Sequence, residues 1–528
     1  MKVGTNMGRQ CLIGVDIGTT GTKTAVFDAE GTLVAESFEP SCLIQPRPGW
    51  VEQDADEMAD SVIRTICDCM VKSRLDGGDI AGIAIDGQMA GVMAVDVQGR
   101  AVTRYDSWLD SRCKPYIDQL EKGCGYLMHE RTGCAPMLNH APKMLWWKHE
   151  EPEFYRRIHK FVQPGAYAAM RLADLSGREA FVDHTYIHFS GCCDTRSREW
   201  DGELCSRSGI DLDKLPQIVN PCDVIGTVSR KAAARTGLKA GTPIVAGCGD
   251  TCACFVGAGV VVPGLFLDVA GTACVMAACT DTYHVNSSDR TFLLAHSIGE
   301  HLWHPYAYMN GAGLNLKWFR DEFANKRLTE SNRIGFSALD GEAATVAPGS
   351  DNLIFIPHLA GRVCPSQPNL RGTWLGFSWG HTRAHFYRAV LEAVAYEYRY
   401  YLKSYLKLFP DTPPREVRVI GGGCKSTLWN QIKSDVLGIP YVTLNREDGA
   451  TLGAAIVAGL GTGLYKDIAA TTQTWIKTKD HIEPNPKRHR QYQEFSTFYE
   501  QHLSDLNLLY SRKEASRAAS SDGGAGPD

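Results

Sequence analysis

The chain opens on an apolar run of strand length, Cys11 to Ile17, which ends in the turn residues Gly18-Thr19-Thr20-Gly21. Lys23 to Phe27 then alternates polar and apolar residues, Asp28-Ala29-Glu30-Gly31 makes another turn, and Thr32 to Phe38 supplies a third strand. Connections this short predict antiparallel hairpins. Met58, Val62, Ile66 and Met70 recur every four residues, so they share one face of a helix. Asp54 and Asp56 precede or open that helix, where its N-terminal dipole favours them. Ile80 to Ile85 reads as a buried strand ending at Asp86-Gly87-Gln88. The order is three hairpin strands, a helix and another strand.

The second half repeats this order. Leu265 to Val269 ends in Ala270-Gly271-Thr272, and Ala273 to Ala278 continues as a strand. His301 to Met309 predicts a strand, Leu314 to Phe323 a helix and Leu353 to Ile356 a strand. Arg383 to Leu408 lacks Gly and Pro and predicts a long helix. Val417 to Ile420 predicts a strand running into Gly421-Gly422-Gly423, followed by a helix over Thr427 to Leu437, a strand over Tyr441 to Leu444 and a helix over Ala450 to Ala458. Such alternation means an α/β protein. Asp16-Ile-Gly-Thr and Asp268-Val-Ala-Gly-Thr both end an apolar strand and open a tight turn, roughly half the chain apart. Two copies of one unit imply two similar domains with a cleft between them. A domain break is expected near Gly259 to Gly264, and the small, polar stretch from Ser511 to Asp528 is expected to be a disordered tail.

Composition narrows the function. The 528 residues suffice for a large core without disulfides or metal. Lys plus Arg is 55 and Asp plus Glu 60, a net charge of −5, so no global basic field serves nucleic acid. No apolar run approaches the ~20 residues of a spanning helix. The N-terminus MKVGTNMGRQ has no apolar stretch of signal-peptide length, which predicts a cytosolic protein. The 18 cysteines form no C-x-x-C pair and read as reduced, buried thiols. No metal site is read from the scattered histidines.

Several segments carry candidate chemistry. In Asp16-Ile-Gly-Thr-Thr-Gly-Thr-Lys23, a glycine turn lets backbone N–H groups approach phosphate oxygens, and Thr19, Thr20 and Lys23 add donors and charge. Asp16 could hold Mg²⁺, directly or through water. An ordinary hairpin turn explains this segment alone equally well. Asp250, on the glycine-rich turn Gly247-Cys-Gly-Asp-Thr251, is placed to take a proton from an attacking hydroxyl, although a turn aspartate or a helix N-cap would look the same. Glycines 421 to 423 let a flat ring or ribose lie against the backbone. Glu447-Asp-Gly-Ala-Thr-Leu-Gly-Ala-Ala455 reads as a closely packed helix. In Trp108-Leu-Asp-Ser-Arg112, the Trp face suits sugar C–H groups while Asp and Arg suit hydroxyls; Trp108 alone reads as core.

Together these segments resemble the FGGY carbohydrate kinase family of the actin/Hsp70-like ATPase superfamily. The resemblance covers about Leu12 to Gly463, in the family's order: GVDIGTTGTK at 14–23, GQM at 87–89, W-x-D-x-R at 108–112, PIVAGCGDT at 243–251, DVAGTA at 268–273, GAGLNLKWFRDE at 311–322, RGTWLGFSWGHTRAHFYRAVLEAVA at 371–395 and VIGGGCKSTLWNQIKSDVLG at 419–438. Phe377 stands where an aliphatic residue is usual, and Lys143-Met-Leu-Trp-Trp147 keeps only a K-x-x-W core of the earlier signature. The resemblance implies two ribonuclease H-like domains of the actin/Hsp70 type: 1–260 with the sugar side, the first phosphate loop and the base, and 261–510 with the nucleotide side. It implies Asp250 as catalytic base, Asp16 as the metal-associated carboxylate, and Thr19, Thr20 and Lys23 near the transferred phosphate. Gly271 and Thr272 match the second phosphate loop. Gly313 and Lys317 fall near the nucleotide, and Gly422, Gly423, Lys425 and Ser426 match the adenosine side. Gln88, Met89, Trp108 and Asp250 would meet the sugar.

The implied reagents are ATP, Mg²⁺ and a small sugar, with neither nucleic acid nor membrane; a homodimer stays open. Within the family the xylulokinase group is most similar. That group has G-Q-M-H-G where this chain has Gly87-Gln-Met-Ala-Gly91, and Ala90 cannot donate the histidine's hydrogen bond. Xylulose, ribulose and a related polyol are therefore all open. A conformational ATPase of the actin/Hsp70 type would share the phosphate turns but leaves GCGD and W-x-D-x-R unexplained. A sugar sensor descended from a kinase is disfavoured by the presence of Asp250 and Lys23.

Overall fold

The structure is a computed structural model and describes residues 10–522 apart from 286, 287, 289, 330, 331, 447 and 448. The N-terminal residues 1–9, the Glu447-Asp448 start of the glycine-alanine segment and the tail beyond 522 lie outside the described residues.

Two sheets are built on one plan. In the first, β1 (Cys11–Ile17), β2 (Gly21–Asp28) and β3 (Leu33–Pro40) form antiparallel hairpins. β4 (Ile80–Gly87) lies parallel to β1, β5 (Val224–Thr227) is an edge strand, and β6 (Pro243–Gly249) lies parallel to β4, giving the order β5-β6-β4-β1-β2-β3. The second sheet contains β7 (Leu265–Ala270), β8 (Cys274–Ala278), β9 (Leu293–His296), β10 (Trp303–Met309), β11 (Glu416–Ile420), β12 (Tyr441–Leu444) and β13 (Thr478–Ile482), ordered β9-β10-β8-β7-β11-β12-β13. The runs β3-β2-β1-β4-β6 and β10-β8-β7-β11-β12 have the same strand directions. The internal repeat read from the two Asp-Gly-Thr turns is therefore a repeat of topology.

Local chemistry sets the helix ends. α1 (Ala55–Ser73) starts where the Asp54 carboxylate accepts from the Glu57 N–H and stops at Arg74 in left-handed backbone, burying Met58, Val62, Ile66 and Met70. α2 (Lys114–Thr132), α3 (His140–Glu150) and α4 (Pro164–Ala173) belong to a large insertion between β4 and β6. α5 (Asp250–Gly257) carries the chain from the first sheet to the second. α6 (Ala312–Phe319) ends in a wider turn over Arg320–Ala324, and α7 (Phe336–Ala343) precedes the long α8 (Arg383–Leu408). α9 (Thr427–Leu437) and α10 (Ala450–Gly461) follow their strands as expected.

α10 returns to the first sheet. A Cβ on Gly14 of β1 would lie 1.9 Å from the Thr451 carbonyl oxygen, and one on Gly453 would lie 2.0 Å from that of Ala253 on α5. Only a hydrogen fits at either crossing, so the glycine-alanine composition of this segment is a packing requirement. The last helix, α11 (Pro486–Asp522), runs past the expected end of order at residue 510, because Ser511-Arg-Lys-Glu-Ala-Ser-Arg-Ala-Ala is built largely of strong helix formers. No described helix is long and apolar enough to cross a membrane.

Candidate active site

The register of the first sheet assembles a row of ionisable side chains. Lys23 on β2 lies opposite Asp16 on β1, Asp86 on β4 stands beside Asp16, and Cys248 on β6 stands beside Asp86. Residues paired in register point to the same face of a sheet, so two carboxylates project side by side at the carboxyl ends of parallel strands. Asp86 is buried and Asp16 half-buried. The Lys23 ammonium is 3.3 Å from the Glu36 carboxylate on β3, so its charge is shared with that neighbour. Asp86 was quoted in the sequence only as a strand end, yet its signal matches that of Asp16: a carboxylate at the close of an apolar run, before a glycine.

Asp250 follows β6 at the first residue of α5. Its Oδ1 accepts from the Thr251 N–H at 2.5 Å and from the Thr251 hydroxyl at 3.1 Å. Burial pushes the carboxyl up to about 6, against the lowering effect of the Thr251 bonds. A base must be ionised yet still basic, and a carboxyl near 6 meets both needs near neutral pH. The Met89 side chain lies against Gly249, where a Cβ would approach its Cε at 2.6 Å, so the Gly87-Gln88-Met89 turn abuts the aspartate turn.

A closed hydrogen-bond network joins the first phosphate turn to the candidate sugar side. The Trp108 indole N–H donates to Thr19 Oγ1 (2.9 Å), whose hydroxyl donates to Gln88 Oε1 (3.2 Å). The Gln88 amide donates to Gln53 Oε1 (2.8 Å), the Gln53 amide to Ser41 Oγ (3.0 Å), and the Ser41 hydroxyl returns to the Thr19 carbonyl (2.9 Å). Thr19, Gln88 and Trp108 are thereby brought together. Half-buried Trp108 is not a core residue, and Thr20, next to Thr19 in the chain, is exposed. Gln53 and Ser41 were missed, since nothing in their neighbours marks them. The His140 imidazole, held neutral because burial pushes it down to about 4, contacts the Met89 carbonyl through Nε2 (2.6 Å).

Asp110 and Arg112 differ from the expectation that they face sugar hydroxyls. Asp110 is buried and the Arg112 side chain is covered, binding the Asp110 and Glu52 carboxylates at 2.7 Å while its guanidinium lies 3.8 Å from the Trp50 ring centre. Asp110 also accepts from the Val51 N–H at 2.7 Å. A guanidinium already forked between carboxylates and covered by indole is committed to the fold. Buried Lys143 of the K-x-x-W core donates to the Ser107 and Asp110 carbonyls at 2.6 and 3.2 Å, and the Trp147 indole donates to Asp106 at 2.6 Å. That signature therefore braces the loop presenting Trp108.

Most of the residues expected on the nucleotide side assemble on the second sheet. The turn Gly271-Thr272 follows β7, and α6 begins against it: a Cβ on Gly313 would lie 2.1 Å from the Gly271 carbonyl oxygen, and the Leu314 N–H donates to the Thr272 carbonyl (3.1 Å). Gly422, Gly423 and Lys425 form a tight turn after β11, with Gly423 packed against Ala270. The Ser426 hydroxyl caps α9, accepting from the Trp429 N–H at 3.1 Å, and burial pushes the Asp340 carboxyl up. Lys317 is not drawn into this group; it lies exposed on α6, paired with Asp321 one turn on at 3.0 Å.

Known proteins share the sequence plan and the fold of this chain. The family model for the N-terminal domain of the FGGY carbohydrate kinases matches residues 11–257, and the model for the C-terminal domain matches residues 268–462. Xylulose kinase of Staphylococcus epidermidis is 28% identical over 503 residues, covering 94% of this chain and 96% of the relative. Gluconokinase of Bacillus subtilis (strain 168) is 27% identical over 489 residues, covering 91% and 93%. The crystal structure of xylulose kinase from Rhodospirillum rubrum superposes with a TM-score of 0.86 at 27% identity, covering 95% of this chain and all of that one (100%). Plasmodium falciparum glycerol kinase with ADP shares the fold at a TM-score of 0.83 and 17% identity, covering 94% and 98%. The repeated sheets are the two-domain actin/Hsp70-type ATPase fold of these kinases, and with both domain models matched in order the chain belongs to the FGGY family of carbohydrate kinases.

Proposed function

We propose that this FGGY kinase transfers the γ-phosphoryl group of ATP to a hydroxyl of a ketopentose such as xylulose or ribulose, or of a related polyol, with Asp250 as general base. The observation that carries this reading is the Asp250 carboxyl. It is pinned through Oδ1 by Thr251, raised to about 6 by burial, and adjoins the turn that holds Gln88 and Met89. The substrate oxygen forms a bond to the γ-phosphorus as the bridge from that phosphorus to the β-phosphate oxygen breaks. The hydroxyl proton passes to Asp250, and ADP leaves with the bridging electron pair. Thr19 and its turn are suited to the transferred group, and the turns of Gly271-Thr272 and Gly422-Gly423 to the rest of the nucleotide. Gln88, Met89 and Trp108 are suited to hold the sugar.

The residues present fit Mg²⁺. The ion prefers one or two carboxylates plus substrate phosphates over an all-protein cage, and Asp16 with Asp86 beside it supplies that pair. Among the described residues no group of three or more ligating side chains is assembled, in keeping with an ion shared with phosphates. Bound there, it would neutralise charge on the phosphates being transferred.

Relatives named xylulose kinase support a ketopentose, while Ala90 removes the polar partner usual in that group. The test is ADP release from Mg-ATP against a panel of xylulose, ribulose, gluconate and polyols, with Asp250→Asn as control. High turnover on a ketopentose or polyol, abolished in Asp250→Asn, is expected. Turnover on gluconate alone would overturn the substrate class, and full activity in Asp250→Asn would overturn the base.

A further inference from the structure

The segment that follows the short strand Phe181–Asp183 is bonded to the ends of both strands that precede the Gln88 and Asp250 turns. Asp183, Thr185 and Tyr186 are all buried. Asp183 Oδ1 accepts from the Thr185 N–H at 2.9 Å and from its hydroxyl at 2.5 Å. The hydroxyl proton is thus committed to the carboxylate, which turns an oxygen lone pair towards the Gly249 N–H, 2.9 Å away. The neighbouring Tyr186 hydroxyl donates to the Gly87 carbonyl at 2.8 Å and, more weakly, to the Cys248 carbonyl at 3.2 Å.

The β-ladder explains why such bonds are needed. β6 pairs regularly with β4 through Val245, then shifts register before resuming at Cys248 and Gly249. Gly247, in the interruption, has φ +80°. The Ala246 and Gly247 N–H groups leave the sheet for the Asp223 and Pro221 carbonyls at 2.9 and 3.1 Å. An irregularity of this kind re-aims a strand end and removes ladder bonds, whose buried backbone groups must then be satisfied elsewhere. Asp223 and Pro221 do so inside the interruption, and Thr185 and Tyr186 bond the backbone where pairing resumes. The contacts fall on Gly87, directly before Gln88, and on Cys248 and Gly249, directly before Asp250.

We propose that Thr185 and Tyr186 are positioning residues that lock the Asp250 turn to the Gln88-Met89 turn, fixing the base relative to the sugar hydroxyl without touching substrate. This rests on the reading of Asp250 as base. It predicts a defect in turnover rather than in nucleotide binding, because misplacing a base leaves the second sheet untouched.

The test compares full-length Thr185→Val, Thr185→Ser, Tyr186→Phe and Asp250→Asn with wild type. The readouts are kcat and KM for the panel sugar with the highest turnover, ADP affinity by calorimetry, and melting temperature. Thr185→Val keeps the shape but loses the acceptor, and is expected to lower kcat by about 10- to 100-fold. ADP affinity should be unchanged, and Thr185→Ser should restore most of the rate. Tyr186→Phe should lower kcat in the same manner. If Asp250→Asn is inactive while folded Thr185→Val and Tyr186→Phe turn over like wild type, the positioning role is overturned and the base stands. Should Asp250→Asn stay active, the base reading fails and this inference with it. If Thr185→Val does not fold, Tyr186→Phe decides by the same criterion: a normal kcat with only a lowered melting temperature overturns the proposal.

Discussion

The two halves treat the same aspartate in opposite ways. Asp16 and Asp268 each sit near the end of the first strand of a sheet, ahead of a glycine-threonine turn. Asp16 has Lys23 opposite and a second carboxylate, Asp86, alongside. Asp268 has Met276 opposite and Val419 alongside, is wholly buried, accepts from the Tyr398 hydroxyl at 2.6 Å and is ion-paired with buried Lys433. One copy sets two carboxylates side by side at neighbouring strand ends; the other neutralises its charge inside the domain. Duplication of a fold therefore does not duplicate a site: the helix side chains behind each strand decide whether a strand-end carboxylate is chemistry or scaffold.

The comparison can be broken at either end. The largest effect is expected in the first copy, where Asp16→Asn and Asp250→Asn should each lower kcat by about 10²- to 10⁴-fold without lowering the melting temperature. In the second copy the order reverses. Lys433→Met should cost about 3–5 kcal/mol in urea unfolding, because it leaves Asp268 buried and unpaired, while the folded fraction keeps its turnover. The double variant Asp268→Asn/Lys433→Met should recover most of that loss. A Lys433→Met protein of normal stability would show that the pair does not hold the second domain.

Acidity gives a smaller, graded effect. With Asp250 at about 6 in the folded protein, kcat/KM should fall roughly tenfold per pH unit below that point and level off above it. The sign for stability is opposite. A carboxyl raised above its ordinary 3.8 favours folding most at low pH, and that contribution is lost as pH rises through about 6. Asp250→Asn should therefore match or exceed the wild-type melting temperature at pH 8. A pH–rate profile without an acid limb near 6 would remove Asp250 from the chemistry. Smallest of all, Trp108→Phe keeps a ring but loses the donor to Thr19, and should raise the sugar KM about 2- to 10-fold with little change in kcat.

Much of this site was legible because its signals are local. Apolar runs closed by Asp, Gly and Thr marked the strand ends at Asp16 and Asp268, and the glycines at 247–249 and 421–423 marked turns. Gly453 was legible as packing because a small-residue helix has few other uses. Asp110 and Arg112 were misjudged because their partners, Val51, Glu52 and Trp50, come from an earlier loop. Thr185 and Tyr186 gave no signal at all, since an ordinary Thr-Tyr pair becomes significant only when a displaced strand end lies against it.

By itself, then, the sequence determined the repeated α/β plan, the order of the turns and the identity of the carboxylates, because hydrophobic period and turn chemistry act over a few residues. Only the tertiary structure decided which carboxylate is spent on an ion pair, which arginine is committed to carboxylates and what bonds the strand end before Asp250. Those outcomes depend on burial and on hydrogen-bond partners drawn from distant segments. Lys433 reaches Asp268, and Thr185 reaches Gly249, only after the sheets and helices between them have packed.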